Sequence, residues 1–90
     1  MRYEWDEQKR RDNLTKHGVD FIDTVDFWWD SALISPDTRA NYSETRFKAL
    51  GIIGNRLHCL VYTVRGGAIR IISLRKANKR ERGKYEKAIS

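Results

Sequence analysis

The sequence predicts an α+β fold, an antiparallel sheet with helices packed on it, in the order β-α-α-β-β-β-β-α. Three observations carry this. From Glu44 to Arg75 the apolar residues recur with a period of two, as in strands. Two glycine turns, Gly54-Asn55 and Gly66-Gly67, cut that run into a three-strand meander. On either side of it, Glu7 to Lys16 and Ala77 to Ile89 have helical spacing. Ninety residues make a single domain, 1–90, because a second independent core would not fit.

In chain order, Tyr3 and Trp5 alternate with charge and predict a short first strand. Asp6 caps the first helix, since its carboxylate can accept from the free N–H groups of the first turn. Glu7 to Lys16 is polar, with Leu14 one of its few apolar anchors. Lys16 and His17 occupy the last turn, where cations suit the helix dipole, and Gly18 stops the helix. Asp20 then predicts a second helix, with Phe21, Ile22, Val25, Phe27, Trp28 and Trp29 as a wide apolar face lying over the sheet. Ser31 to Ser35 forms a short strand ended by Pro36-Asp37, and Asp37 to Ser43 is a loop. In the meander, Phe47, Ala49, Gly51 and Ile53 alternate with Arg46, Lys48, Leu50 and Ile52. Leu57 to Val64 is nearly all apolar and therefore central, and Ala68 to Leu74 follows it. The last helix presents Ala77, Glu81, Tyr85 and Ala88 on one face.

Composition narrows the function. A hydrophobic content of 40% with 11% aromatic residues supports a packed core rather than disorder. No run of about 18 apolar residues predicts a membrane span, and the charged N-terminus lacks the apolar centre of a signal peptide. Cys59 is the only cysteine and lies in an apolar run, which suits a core position in the reducing cytoplasm. A formal charge of +6 and a pI near 9.8 favour polyanions, so RNA, DNA or an acidic protein is the expected partner.

No metal motif is present, because His17 and His58 lie far apart without ligand partners at binding spacing. Nor is there a glycine-rich phosphate loop, and no cofactor is expected. What the strands do carry is arginine: Arg46, Arg65, Arg70 and Arg75 fall within or at the ends of the meander. Each alone would be read as solvent-facing, since arginine is a weak strand former and costly to bury. Four on strands about 5 Å apart can line one groove, and guanidinium forks match phosphate oxygens. RNA brings its own nucleophile, the 2′-hydroxyl. Cleavage then requires in-line positioning, charge stabilisation at phosphorus and proton transfer, with no metal. His17 is the candidate acid or base, against a plain dipole role at its helix end; Tyr62 or Lys16 is the candidate for the other proton. Tyr62, Trp5, Trp28 and Trp29 can stack on bases, although core packing fits the tryptophan pattern better. From Lys76 to Lys87 six basic residues face two acidic ones, which reads as a solvated face or, given the concentration, a contact for nucleic acid or an acidic partner.

Several of these residues recur as an ordered set. Trp5-Asp6, Lys9, Asn13-Leu14 and Lys16-His17-Gly18-Val19 resemble the N-terminal part of BrnT-type toxins. Glu44-Thr45-Arg46 with Gly51, and Val61 to Arg65, resemble the middle. Arg70 to Ser73, Arg75-Lys76-Ala77 and Arg80-Glu81-Arg82 with Tyr85 resemble the end. The resemblance implies a RelE-like fold and a ribonuclease that inhibits translation and arrests growth. It also implies a BrnA-type antitoxin that neutralises the toxin, in a complex of two toxins and two antitoxins that binds operator DNA through the antitoxin. Functional positions carry over to Lys16, His17, Arg46, Arg65, Arg70 and Arg75. Catalysis is thus assigned to His17, Arg46, Arg65, Arg70 and Arg75, and RNA binding to Lys16, Tyr62 and Lys76. The chain departs from the family pattern at Leu74, where a small alanine is typical, and in its Phe27-Trp28-Trp29 cluster. Two rival readings share the basic surface: a non-catalytic nucleic-acid-binding module, and an inactive relative that only docks an antitoxin.

Overall fold

The computed structural model describes residues 1–90. Five strands form one sheet: β1 (Tyr3–Glu4), β2 (Leu33–Pro36), β3 (Phe47–Ile53), β4 (Arg56–Arg65) and β5 (Ala68–Lys76), in the spatial order β1-β5-β4-β3-β2. Strands β2 to β5 are antiparallel, whereas β1 runs parallel to β5, with Tyr3 opposite Ile69. The sheet is therefore mixed rather than wholly antiparallel. The meander leaves the outer edge of β5 unpaired, and the first residues of the chain occupy part of it, Ile69 N donating to the Arg2 carbonyl at 2.9 Å.

Strand β4 is central, and every residue from Leu57 to Thr63 is buried. Its alternation sends side chains to two cores. One face gathers Phe21, Phe27, Ala49, Leu60, Tyr62, Ile71 and Leu74, with Tyr3, Trp29 and Phe47 packed around them. The other gathers Leu50, Leu57, Cys59, Val61, Ala77 and Tyr85. Leu60 is fully enclosed, and truncating such a residue to alanine costs about 2–5 kcal/mol. In β5 a bulge sets Ser73 opposite Val61 but Ile71 opposite Tyr62, leaving Ile72 as the extra residue.

Helix α1 (Glu7–His17) begins at Asp6, whose carboxylate accepts from Lys9 N at 3.1 Å, and ends at Gly18 in the left-handed region at φ 70°. Leu14 does not anchor it, being exposed. The only buried side chain of α1 is Asn13. Its amide donates to the carbonyls of Val19 (2.9 Å) and Leu74 (2.7 Å), and its oxygen accepts from Leu74 N at 3.2 Å. Asn13 thus replaces a neighbouring strand where β1 has ended, and fixes α1 against β5 through hydrogen bonds that burial makes costly to lose.

The helix expected from Asp20 is instead a 3₁₀ segment over Phe21–Asp26, followed by a single 3₁₀ turn at Trp29–Ser31. Phe21, Thr24 and Phe27 are the buried residues, and their spacing of three is the 3₁₀ period. Ile22, Thr24 and Val25 are β-branched and weak helix formers, and Thr24 Oγ1 donates back to the Phe21 carbonyl at 2.6 Å. Consequently Ile22, Val25 and Trp28 point to solvent rather than to the sheet. Phe27 does reach the sheet, and only because residue 51 is glycine: a Cβ there would lie 2.3 Å from the Phe27 ring.

Helix α2 (Lys79–Ile89) starts with a capping box, in which Asn78 Oδ1 accepts from Glu81 N at 2.8 Å and Glu81 Oε1 accepts from Asn78 N at 3.0 Å. Ala77, Glu81 and Tyr85 are buried as the spacing predicts, but Ala88 is exposed. Tyr85 donates its hydroxyl to Ser31 Oγ at 3.1 Å.

Candidate functional site

Strand register brings the arginines together. Arg75 lies opposite Cys59 and Arg70 opposite Thr63, while Lys48 lies opposite Val61. By alternation these three share the face of Cys59 and Val61, as do Arg65 at the end of β4 and Arg46 just before β3. Helix α2 lies on this face through Tyr85 and Glu81 and leaves the end around Arg46, Arg65 and Arg70 uncovered by any helix. Along its flank, α1 contributes Lys9, Lys16 and His17, which with Asp12, Asn13, Ile72 and Ser73 wall an open hollow of about 210 Å³. On the opposite flank, the β2–β3 loop forms a wider hollow of about 600 Å³ that includes Arg39, Tyr42, Glu44 and Arg46.

The cations are held by three carboxylates, and very unequally. Glu44 Oε2 accepts from Arg65 Nη2 at 2.9 Å, while its other oxygen is 3.7 Å from Arg46 Nε, a charge contact too long for a hydrogen bond. That Arg46 Nε is buried and makes no hydrogen bond, although its guanidinium lies 4.0 Å over the Tyr42 ring. Arg70 approaches Glu4 only to 3.6 Å. By contrast, Arg75 grips Glu81 with both fork nitrogens, Nη1 to Oε1 at 2.7 Å and Nη2 to Oε2 at 2.9 Å, and Lys48 Nζ joins the same carboxylate at 2.9 Å. Burial alone would push the Glu81 carboxyl up. Its bonds from Arg75, Asn78 N and Lys48 overcome this and hold it at about 2.

His17 closes the α1 flank. Burial, then the neighbouring charges of Lys16 and Arg75, lower its pKa below the usual 6.5, so the ring is predominantly neutral at pH 7. A neutral imidazole at the rim of a cationic face is suited to accept a proton. Cys59, beneath Arg75, is pushed up to about 11 by burial and remains a protonated thiol.

Two residues expected to meet RNA do not share this face. Tyr62 is buried in the opposite core, edge-on to Trp29 and stacked on Phe47, and its ring is closed to any base. The physical reason is parity: β4 is apolar on both sides, and Tyr62 has the parity of Leu60. Lys76 is exposed, but alternation puts it on the face opposite Arg75. His58 is packed in β4, with Nδ1 2.9 Å from the Arg56 carbonyl. Of the tryptophans, Trp5 and Trp29 pack against the core and Trp28 is largely exposed.

Sequence reasoning missed Lys48, Glu44 and Glu81. A usable signal existed for one of them, since Asn78-x-x-Glu81 is a capping-box spacing that marks the carboxylate at the start of α2. Lys48 and Glu44 carry no such signal, because their role depends on cross-strand partners.

The family model described as the ribonuclease toxin, BrnT, of type II toxin-antitoxin systems matches residues 5–81. The chain belongs to this family. Among curated proteins, none matches it. Membership of the BrnT family gives the chain the role of a ribonuclease toxin, and a type II system pairs such a toxin with an antitoxin protein. The matched span includes β2 to β5, both flanks of the cationic face and Glu81, and begins just after β1.

Proposed function

We propose that the chain cleaves RNA on the open cationic face by a metal-independent transphosphorylation. One observation carries this reading: Arg65 of β4 and Arg70 of β5, with Arg46 just before β3, share the end of a sheet face that α2 leaves uncovered, with a neutral histidine on the flank of that face. Arg46, Arg65 and Arg70 hold the scissile phosphate, their carboxylate contacts being long or exposed enough to exchange. His17 takes the proton from the 2′-hydroxyl as its oxygen bonds to phosphorus. The P–O5′ bond breaks, and the Lys16 ammonium protonates the leaving 5′-oxygen. The products are a 2′,3′-cyclic phosphate and a free 5′-hydroxyl, and water returns the proton from His17 to Lys16. Developing charge on phosphorus is met by fixed guanidinium groups, usually the largest contribution to such catalysis. Arg75 has a different task, since its fork is spent on Glu81: it keeps the strand end, Lys48 and α2 in place.

In the same reading the chain acts in the cytoplasm, its cleavage lowers translation and arrests growth, and a BrnA-type antitoxin restrains it in a two-plus-two complex on operator DNA. The test is induced expression in bacteria with and without the antitoxin gene, following growth and total RNA. Growth arrest with RNA breakdown, reversed by the antitoxin, is the expected result. Healthy cells with intact RNA and abundant soluble protein contradict it.

A further inference from the structure

The molecule has a second surface of opposite character. Between Val19 and Thr38 there are five aspartates and no lysine or arginine, in a chain of net charge +6. Asp20 and Asp37 are engaged, with Arg10 and Arg39 respectively. Asp23, Asp26 and Asp30 are exposed and pair with no cation of the chain, unlike Glu4, Glu7, Glu44 and Glu81. Interleaved with them are three large apolar side chains in solvent: Ile22 (54% exposed), Val25 (73%) and Trp28 (60%). The 3₁₀ period of three lines up Ile22 and Val25 in one row, and Trp28 stands three residues further on. The segment rests on the sheet through Phe21, Thr24 and Phe27, the face opposite the arginines. A scattered exposed apolar residue needs no explanation, but three in one short segment mark a contact surface.

We infer that this acidic, apolar ridge is an anchoring surface for the antitoxin, and that it receives a segment presenting apolar residues flanked by lysine or arginine. The inference rests on the toxin reading above, which supplies the partner. Charge selects the occupant. Phosphate backbones and anionic lipid headgroups are repelled by three unpaired carboxylates, whereas a basic amphipathic segment neutralises them while covering the indole. A second copy of the chain fits less well. Its cationic face could meet the ridge only head to tail, an arrangement that does not close and would extend without limit. Tryptophan is also a residue type that dominates interface energetics when covered. Docking at the ridge leaves the rest of the antitoxin to reach the catalytic face around the sheet edge.

The test uses the full chain and the antitoxin encoded beside it. Trp28→Ser and the double variant Asp23→Lys/Asp26→Lys alter exposed side chains only, so thermal melting should match wild type and RNA cleavage by the free protein should be unchanged. Titration calorimetry should show antitoxin affinity reduced at least tenfold by each variant, with the salt dependence flattened in the double-lysine protein. In cells, both variants should arrest growth at antitoxin levels that silence wild type. Unchanged affinity and full neutralisation of both variants would overturn the ridge while leaving the toxin reading intact. A wild-type chain that neither arrests growth nor binds the antitoxin would overturn that reading, and the ridge with it.

Discussion

Glu44 and Glu81 each sit between two cations on the same sheet face, yet they hold them differently. The Glu81 carboxylate is 6% exposed and bonds Arg75 twice and Lys48 once, all within 2.9 Å. Glu44 is more open, bonds Arg65 alone, and touches Arg46 at 3.7 Å. Desolvation explains the contrast. A charge taken out of water must be fully paired, so Glu81 acts as a framework post whose partners cannot leave. A partly solvated carboxylate releases its partners at little cost, since such pairs are worth about 0–1 kcal/mol. Arginines meant for phosphate therefore belong with Glu44 and Glu4, and those meant for architecture with Glu81.

Four variants test that contrast, in decreasing order of effect. Arg65→Ala/Arg70→Ala should lower the rate of RNA cleavage by about 10²-fold or more, the usual cost of removing charge stabilisation, with thermal stability near wild type. Cleavage at the wild-type rate would remove both residues from catalysis. His17→Gln should slow cleavage by about 10²-fold and abolish the acid limb of the rate profile. In wild type that limb should have its midpoint below 6.5, because the depressed pKa keeps the ring neutral to lower pH; a midpoint above 6.5 contradicts the assignment.

Glu81→Gln should destabilise the fold by about 3 kcal/mol in urea unfolding, because two cations lose a buried partner. The sign with pH is fixed: a carboxyl held at about 2 against 4.5 stabilises the fold fully above 4.5 and loses that contribution as pH falls through 4.5 towards 2. The variant's disadvantage should shrink across that window, and equal stability at pH 7 would show that Glu81 is not a post. Finally, Glu44→Gln should leave stability within about 1 kcal/mol and tighten RNA binding a few-fold, with a steeper salt dependence because more guanidinium charge is free. Weaker binding would mean that Glu44 positions the arginines rather than restraining them.

The meander was legible because period-two alternation and paired glycines act locally. That the strand arginines could line one groove was legible from the same pattern, but Arg70 and Arg75 are an odd number of residues apart and share a face only through the bulge at Ile72. The 3₁₀ segment was not: from Phe21 to Phe27 the buried Phe21, Thr24 and Phe27 keep a spacing of three that a short amphipathic helix also tolerates, and the contact of Phe27 with Gly51 that holds this spacing joins residues far apart in sequence. Tyr62 was misplaced because a strand buried on both faces carries no sign of which side reaches solvent. The parallel pairing of β1, the bulge at Ile72 and the Asn13 bridge to Leu74 join residues far apart in sequence. They become visible only with the register.

The most direct measurement is cleavage of a defined RNA by the purified chain in the presence of a metal chelator, with the product ends identified by mass spectrometry. Wild-type protein should yield 2′,3′-cyclic phosphate and 5′-hydroxyl ends at an undiminished rate, and Arg65→Ala/Arg70→Ala almost none. Cleavage that stops with the chelator, or products ending in 5′-phosphate, would contradict a reaction driven by the substrate's own hydroxyl on this arginine face.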